Sequence, residues 1–66
     1  MRATLTRWLP EKRYGFAKAA GLTHDLMVHV ADIVSGAPYA GAVIECDIVK
    51  GDRHGRPRAA NVRVLQ

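Results

Sequence analysis

The sequence predicts an all-β domain, a small five-stranded antiparallel barrel, and three observations carry that expectation. Apolar side chains recur at every second position in several short segments, which is the period of a strand with one buried face. Turn-forming residues separate those segments at short intervals. No heptad, repeat or low-complexity tract competes with that pattern. Closure into a barrel removes the exposed edges that so small an all-β protein cannot otherwise protect.

The elements follow in order. Ala3 to Leu9 alternates, with Leu5 facing one way and Thr4, Thr6 and Trp8 the other, and its β-branched and aromatic residues suit a first strand. Pro10-Glu11-Lys12 is a turn, because proline fixes its own φ and cannot join a central ladder. Arg13 to Lys18 is the second strand and Ala19 to His24 a loop. Leu26 to Val30 is the third strand, with Leu26 and Val28 inward and Met27 and His29 outward. Val30 to Val34 suits a short helical turn ended by Ser35-Gly36, and Ala37 to Gly41 is a second loop. Val43 to Val49 is the fourth strand, with Ile44, Cys46 and Ile48 inward and Glu45 and Asp47 outward. Lys50 to Pro57 is a basic, glycine-containing hairpin loop. Ala59 to Leu65 is the fifth strand, with Ala60, Val62 and Val64 inward and Asn61 and Arg63 outward.

The second strand holds the most informative stretch, Lys12-Arg13-Tyr14-Gly15-Phe16-Ala17. Alternation puts Tyr14 and Phe16 on one face and Gly15 and Ala17 on the other. If the rings pointed inward, the two smallest side chains would face water, so the rings are expected outside. Two flat rings beside the cations Lys12 and Arg13 make a stacking platform for unpaired bases. Met27 and His29 fall on the same face. Trp8 either extends the platform or seals the bottom of the barrel, and its position opposite Leu5 favours the platform. Arg53, Arg56 and Arg58 either grip phosphates at its edge or form a solvated basic loop.

Sixty-six residues make one domain, 1–66. A chain of this size buries only about 60% of its unfolded surface. The single Cys46 excludes an internal disulfide, so an apolar core must suffice. The start of the chain lacks the apolar run of a signal peptide and no stretch spans a bilayer, so a soluble cytoplasmic protein without membrane contact of its own is expected. Ten basic and six acidic residues give a formal charge of +4, and seven of the ten are arginine. Arginine's planar fork suits phosphate and stacks on bases, which points to a polyanionic partner. No catalytic residue, metal site or cofactor is expected. His24, His29 and Cys46 do not converge as zinc ligands, Cys46 points inward as an inert thiol, and no carboxylates pair for acid–base work. No glycine motif cradles a phosphate, and no small-molecule substrate is implied.

Four segments in order and spacing resemble the bacterial cold-shock domain over almost the whole chain. Glu11-Lys12-Arg13-Tyr14-Gly15-Phe16 is similar to the family's first nucleic-acid motif and Asp25-Leu26-Met27-Val28-His29-Val30 to its second. Ile48-Val49-Lys50-Gly51 and Ala59-Ala60-Asn61-Val62 resemble the end of its fourth strand and its fifth. The resemblance implies an OB-fold barrel of the cold-shock type that binds single-stranded RNA or DNA by base stacking. It also implies base-contacting roles for Tyr14, Phe16 and His29. The chain departs from the family's pattern where Arg7-Trp8 replaces Trp followed by Phe, where Met27 and Val30 replace the aromatics flanking the second motif's histidine, and where Arg13 replaces a glycine. The basic loop 52–58 is also longer. In these features it resembles the cold-shock-like modules that precede a small hydrophobic membrane domain in some bacterial proteins.

Two functions follow as expectations. The first is a non-catalytic single-strand-binding module, acting as an RNA chaperone or transcription antiterminator. Its expected nucleic-acid contacts are Trp8, Lys12, Arg13, Tyr14, Phe16, Met27, His29, Arg56 and Arg58. The alternative is a protein-interaction or assembly module with weakened nucleic-acid binding, suggested by Met27 and Val30 where rings are usual. Oligomeric state is left open.

Overall fold

The computed structural model describes residues 1–50 and 57–65. Its strands are β1 (Arg2–Leu9), β2 (Tyr14–Lys18), β3 (Leu26–His29), β4 (Ile33–Ser35), β5 (Val43–Lys50) and β6 (Pro57–Val64), with 3-10 turns at Pro10–Lys12 and Val30–Asp32. The sheet order is β3-β2-β1-β5-β6-β4, and a further pairing of β3 with β6 closes the first five strands of that order into a barrel. The described residues contain no α-helix, and the architecture is consistent with an OB-like barrel.

The expectation of an antiparallel barrel needs correction. β3 and β4 both pair with β6 in parallel, while β1–β2, β1–β5, β2–β3 and β5–β6 are antiparallel. The physical reason lies in the turn Val30–Asp32, which shifts the chain sideways without reversing it. β3 and β4 therefore run the same way, and both lie beside β6. The expected helical turn over 30–34 is a 3-10 turn over its first half and strand β4 thereafter.

The core is apolar, with Leu5, Leu26, Ile44, Val28 and Val62 as its largest fully buried side chains and no buried polar side chain among the described residues. Full burial of such side chains contributes roughly 1.5–3 kcal/mol each. Gly15 and Ala17 on β2 are buried and Tyr14 and Phe16 half-buried, so the rings stand on the outer face.

Two bulges break the alternation. On β1 the register passes from Leu5↔Ala17 to Arg7↔Phe16, which leaves Thr6 as an extra residue. Its hydroxyl donates to the Phe16 carbonyl at 3.3 Å. A bulge bends its strand. β1 accordingly pairs with β5 through Arg2, Ala3 and Thr4 and with β2 from Thr4 to Leu9. On β6 the register passes from Glu45↔Arg63 to Asp47↔Ala60, and the extra residue is Asn61, whose φ is 52°. Asparagine tolerates that left-handed conformation better than most side chains. Here Nδ2 of Asn61 also donates to Oδ2 of Asp47 at 3.0 Å. The consequence is a change of face: Ala59 is buried and Ala60 only half-buried, the reverse of strict alternation from Val62.

Candidate nucleic-acid interface

The outer face of β2 is built by register. Phe16 lies directly opposite Met27 on β3 and Arg7 on β1, and Met27 in turn lies opposite Arg58 on β6. Directly opposed residues point to the same side of a sheet. Arg7, Phe16, Met27 and Arg58 therefore form one row across four strands, a ring and a thioether between two guanidinium groups. The two arginines stand three strands apart along this row, on β1 and β6, the two strands that flank β5 in the closed barrel. A second row holds Leu9, Tyr14 and His29.

The rings of Tyr14 and Phe16 meet edge to face, with centroids 5.8 Å apart and planes at 80°. Such a pair contributes about 0.5–1.5 kcal/mol beyond its buried area and holds each ring in place. It also means that two bases stacked on these rings lie nearly at right angles to each other. Nδ1 of His29 accepts a hydrogen bond from the Ala31 amide at 3.1 Å, capping the turn that follows. That bond assigns the ring proton to Nε2, which is left as a donor. Lys12 ends the turn Pro10–Lys12 and Arg13 follows it, so both cations stand in the hairpin next to Tyr14. Arg13 adopts φ 61° and ψ 28°, its amide donating to the Leu9 carbonyl at 2.9 Å and its carbonyl accepting from the Val30 amide at 2.9 Å. That left-handed position explains why a glycine suits it.

Trp8 is not on this face. The bulge at Thr6 pairs Trp8 with Gly15 and turns its indole against the core, where it is half-buried. The expectation that Trp8 extends the platform is thereby corrected: the indole packs over Gly15 on the side of β2 away from Tyr14 and Phe16. Arg7 occupies the outward place instead. Alternation from Leu5 alone would point it into the core. That is itself the signal, since an unpaired buried guanidinium is expensive enough to demand a bulge. Arg58 does reach the platform, whereas Arg53 and Arg56 lie outside the described residues. The face thus brings together Tyr14, Phe16, Met27, His29 and Arg58, with Lys12 and Arg13 at its margin.

Cys46 is buried on the inner side of β5. Burial pushes its thiol above the ordinary range; the amino group of Met1 opposes that rise, while Asp47 and Glu45 add to it. A thiol so held is a poor nucleophile. A cleft of about 300 Å³ lies between β4, β5 and β6, and none of its lining residues belongs to the Phe16 row. No group of three or more His, Cys, Asp or Glu side chains converges to hold a metal ion among the described residues, and no helix there is long and apolar enough to cross a membrane. No family model matches the chain, and no curated protein matches it either.

Proposed function

We propose that the outer face of β1, β2 and β3 binds single-stranded RNA or DNA by base stacking. In this reading the chain is a non-catalytic cytoplasmic module of the cold-shock type, acting as an RNA chaperone or transcription antiterminator. The observation that carries the proposal is the row Arg7–Phe16–Met27–Arg58, with Tyr14 and His29 beside it. Arginines at both ends attract phosphates, and the ring and thioether between them offer apolar contact to a base. Each stacked base contributes about 1–3 kcal/mol, enough to hold a strand open without locking it. The 80° between the rings favours unpaired chains, because a duplex keeps its bases parallel and has no free π-face. The motif resemblance supports the same reading.

The test is a titration of fluorescently labelled oligo-dT and oligo-U followed by anisotropy, repeated across salt concentrations and with a duplex of equal length. Intrinsic fluorescence is the poorer readout, since Trp8 faces Gly15 and not the ligand side. Single strands should bind with log K falling by about 0.7 per log unit of salt for each phosphate neutralised, with roughly two to four such contacts. Equal affinity for duplex, or a flat salt response, rejects the proposal.

The reading of an assembly module is favoured by Val30, which follows directly on His29, and by Val34 on β4, 40% and 59% exposed. β4 also pairs with β6 alone among the described residues. Concentration-dependent self-association or partner capture without oligonucleotide binding would establish that reading.

A further inference from the structure

We infer that Asp32 is an internal counter-ion for Arg58 and limits the grip of this face on phosphate. The inference rests on the proposed binding face and assigns a residue that neither motif contains. Arg58 stands opposite Met27, so its guanidinium is the cation at the β6 end of the Phe16 row. Asp32 closes the 3-10 turn that begins directly after His29. Its Oδ2 lies 3.7 Å from Nε of Arg58. That separation is an ion pair and not a hydrogen bond. Nε is buried and has no hydrogen-bond partner, although 42% of the Arg58 side chain is exposed. The carboxylate thus neutralises the cation without engaging it geometrically. The exposed part of the side chain is left to meet a ligand.

Two consequences follow from the electrostatics. A phosphate arriving at Arg58 meets a site whose net charge is close to zero, and it must sit near a like-charged carboxylate. Part of the attraction between Arg58 and phosphate is therefore spent within the protein. At the other end of the row, no ion pair is formed by Arg7 among the described residues. Among the described residues the two ends are thus unequal, Arg58 carrying a counter-ion and Arg7 none. Asp32 acts through Arg58, as a positioning and affinity-setting residue, and does not touch the ligand.

The experiment compares the parent, Asp32→Asn, Asp32→Ser, Arg58→Gln and the double variant Asp32→Asn/Arg58→Gln. Asp47→Asn is the charge-matched control, since no pairing joins Asp47 to the row. Each is checked for a cooperative thermal transition, then titrated with labelled oligo-dT at several salt concentrations and eluted from immobilised heparin, a polyanion without bases. Asp32→Asn should bind oligo-dT about two- to fivefold more tightly at low salt, the range of an exposed ion pair. Its salt slope should steepen by up to about 0.7, one further phosphate. It should elute from heparin later than Asp47→Asn, and Arg58→Gln should remove the difference. If neither the parent nor the variants bind oligo-dT while the heparin shift persists and depends on Arg58, base stacking fails and the counter-ion assignment stands. Equal elution of Asp32→Asn and Asp47→Asn, retention of neither, or a gain that survives Arg58→Gln overturns it. Asp32→Ser keeps the comparison available if the amide variant folds poorly.

Discussion

The indole of Trp8 occupies the space that a side chain on Gly15 would need: a methyl group there would lie 2.8 Å from Cε3 of Trp8 and closer still to the Arg7 carbonyl oxygen. The carbonyl is backbone and cannot swing away. Gly15→Ala should therefore destabilise the barrel by about 1–3 kcal/mol, as overpacking does. On a domain of this size each 1 kcal/mol lowers the melting temperature by roughly 4–8 °C. A thermal melt matching the parent's would mean that Trp8 does not rest on β2.

Phe16→Ala removes the ring between Arg7 and Met27. Binding of oligo-dT should weaken by about 1–3 kcal/mol. Stability should fall by only about 1 kcal/mol, mostly the lost edge-to-face contact with Tyr14. The paired measurements are anisotropy and urea denaturation. Loss of folding without a separable binding effect would place the ring in the core.

Met27→Phe should do the opposite. The thioether contributes about 0.3–1.5 kcal/mol against an aromatic partner, whereas a stacked ring contributes about 1–3 kcal/mol. Tightening by about 1 kcal/mol, roughly fivefold, is expected at fixed salt. A folded variant with unchanged or weaker binding would show that bases do not lie along β3.

Arg13 carries a side chain in a left-handed conformation, at φ 61°. Arg13→Gly relieves that strain, about 1–2 kcal/mol, against a loss of about 0.5–1 kcal/mol in unfolded-state entropy. A net gain of roughly 0.5–1 kcal/mol in stability is expected, together with a shallower salt dependence of binding by up to about 0.7. Chemical denaturation and the salt titration read the two effects separately.

Burial holds the Cys46 thiol protonated beyond the pH at which the unfolded chain's thiol ionises. The folded state thus binds more protons than the unfolded state in alkaline solution. This contribution is fully present below the ordinary thiol range and is lost as pH rises from that range toward the folded thiol's value. The urea midpoint of the parent should fall more steeply with alkaline pH than that of Cys46→Val. Parallel curves would show that the thiol plays no part.

The two strands that carry the candidate face were legible because nothing interrupts their alternation. Tyr14-Gly15-Phe16-Ala17 and Leu26-Met27-Val28-His29 each place small or aliphatic residues inside and the others outside, as observed. Trp8 and Ala60 were misplaced for one shared reason: a single unpaired residue, Thr6 or Asn61, inverts every face beyond it. Arg7 in an apparently inward position and Asn61 in a strand were the marks of those bulges. The direction of β3 against β6 leaves no trace in periodicity. Nor does the short β4, since three residues are too few to show a period. The row itself exists only through pairing: nothing in the chain's order says that Arg7, Phe16, Met27 and Arg58 are neighbours.

Among the described residues, Met27 and Arg58 are the only cross-strand partners that join β3 to β6. The seam that closes the barrel thus carries the fewest ladder partners of any strand pair, and it lies within the candidate face. Opening of that seam would separate Arg58 from Met27 and divide the row in two. On the proposed binding mode, a ligand that touches both residues would be released by the same motion, which would tie its residence time to the breathing of the seam. Whatever fastens the seam would then prolong the complex, and the complex would in turn fasten the seam.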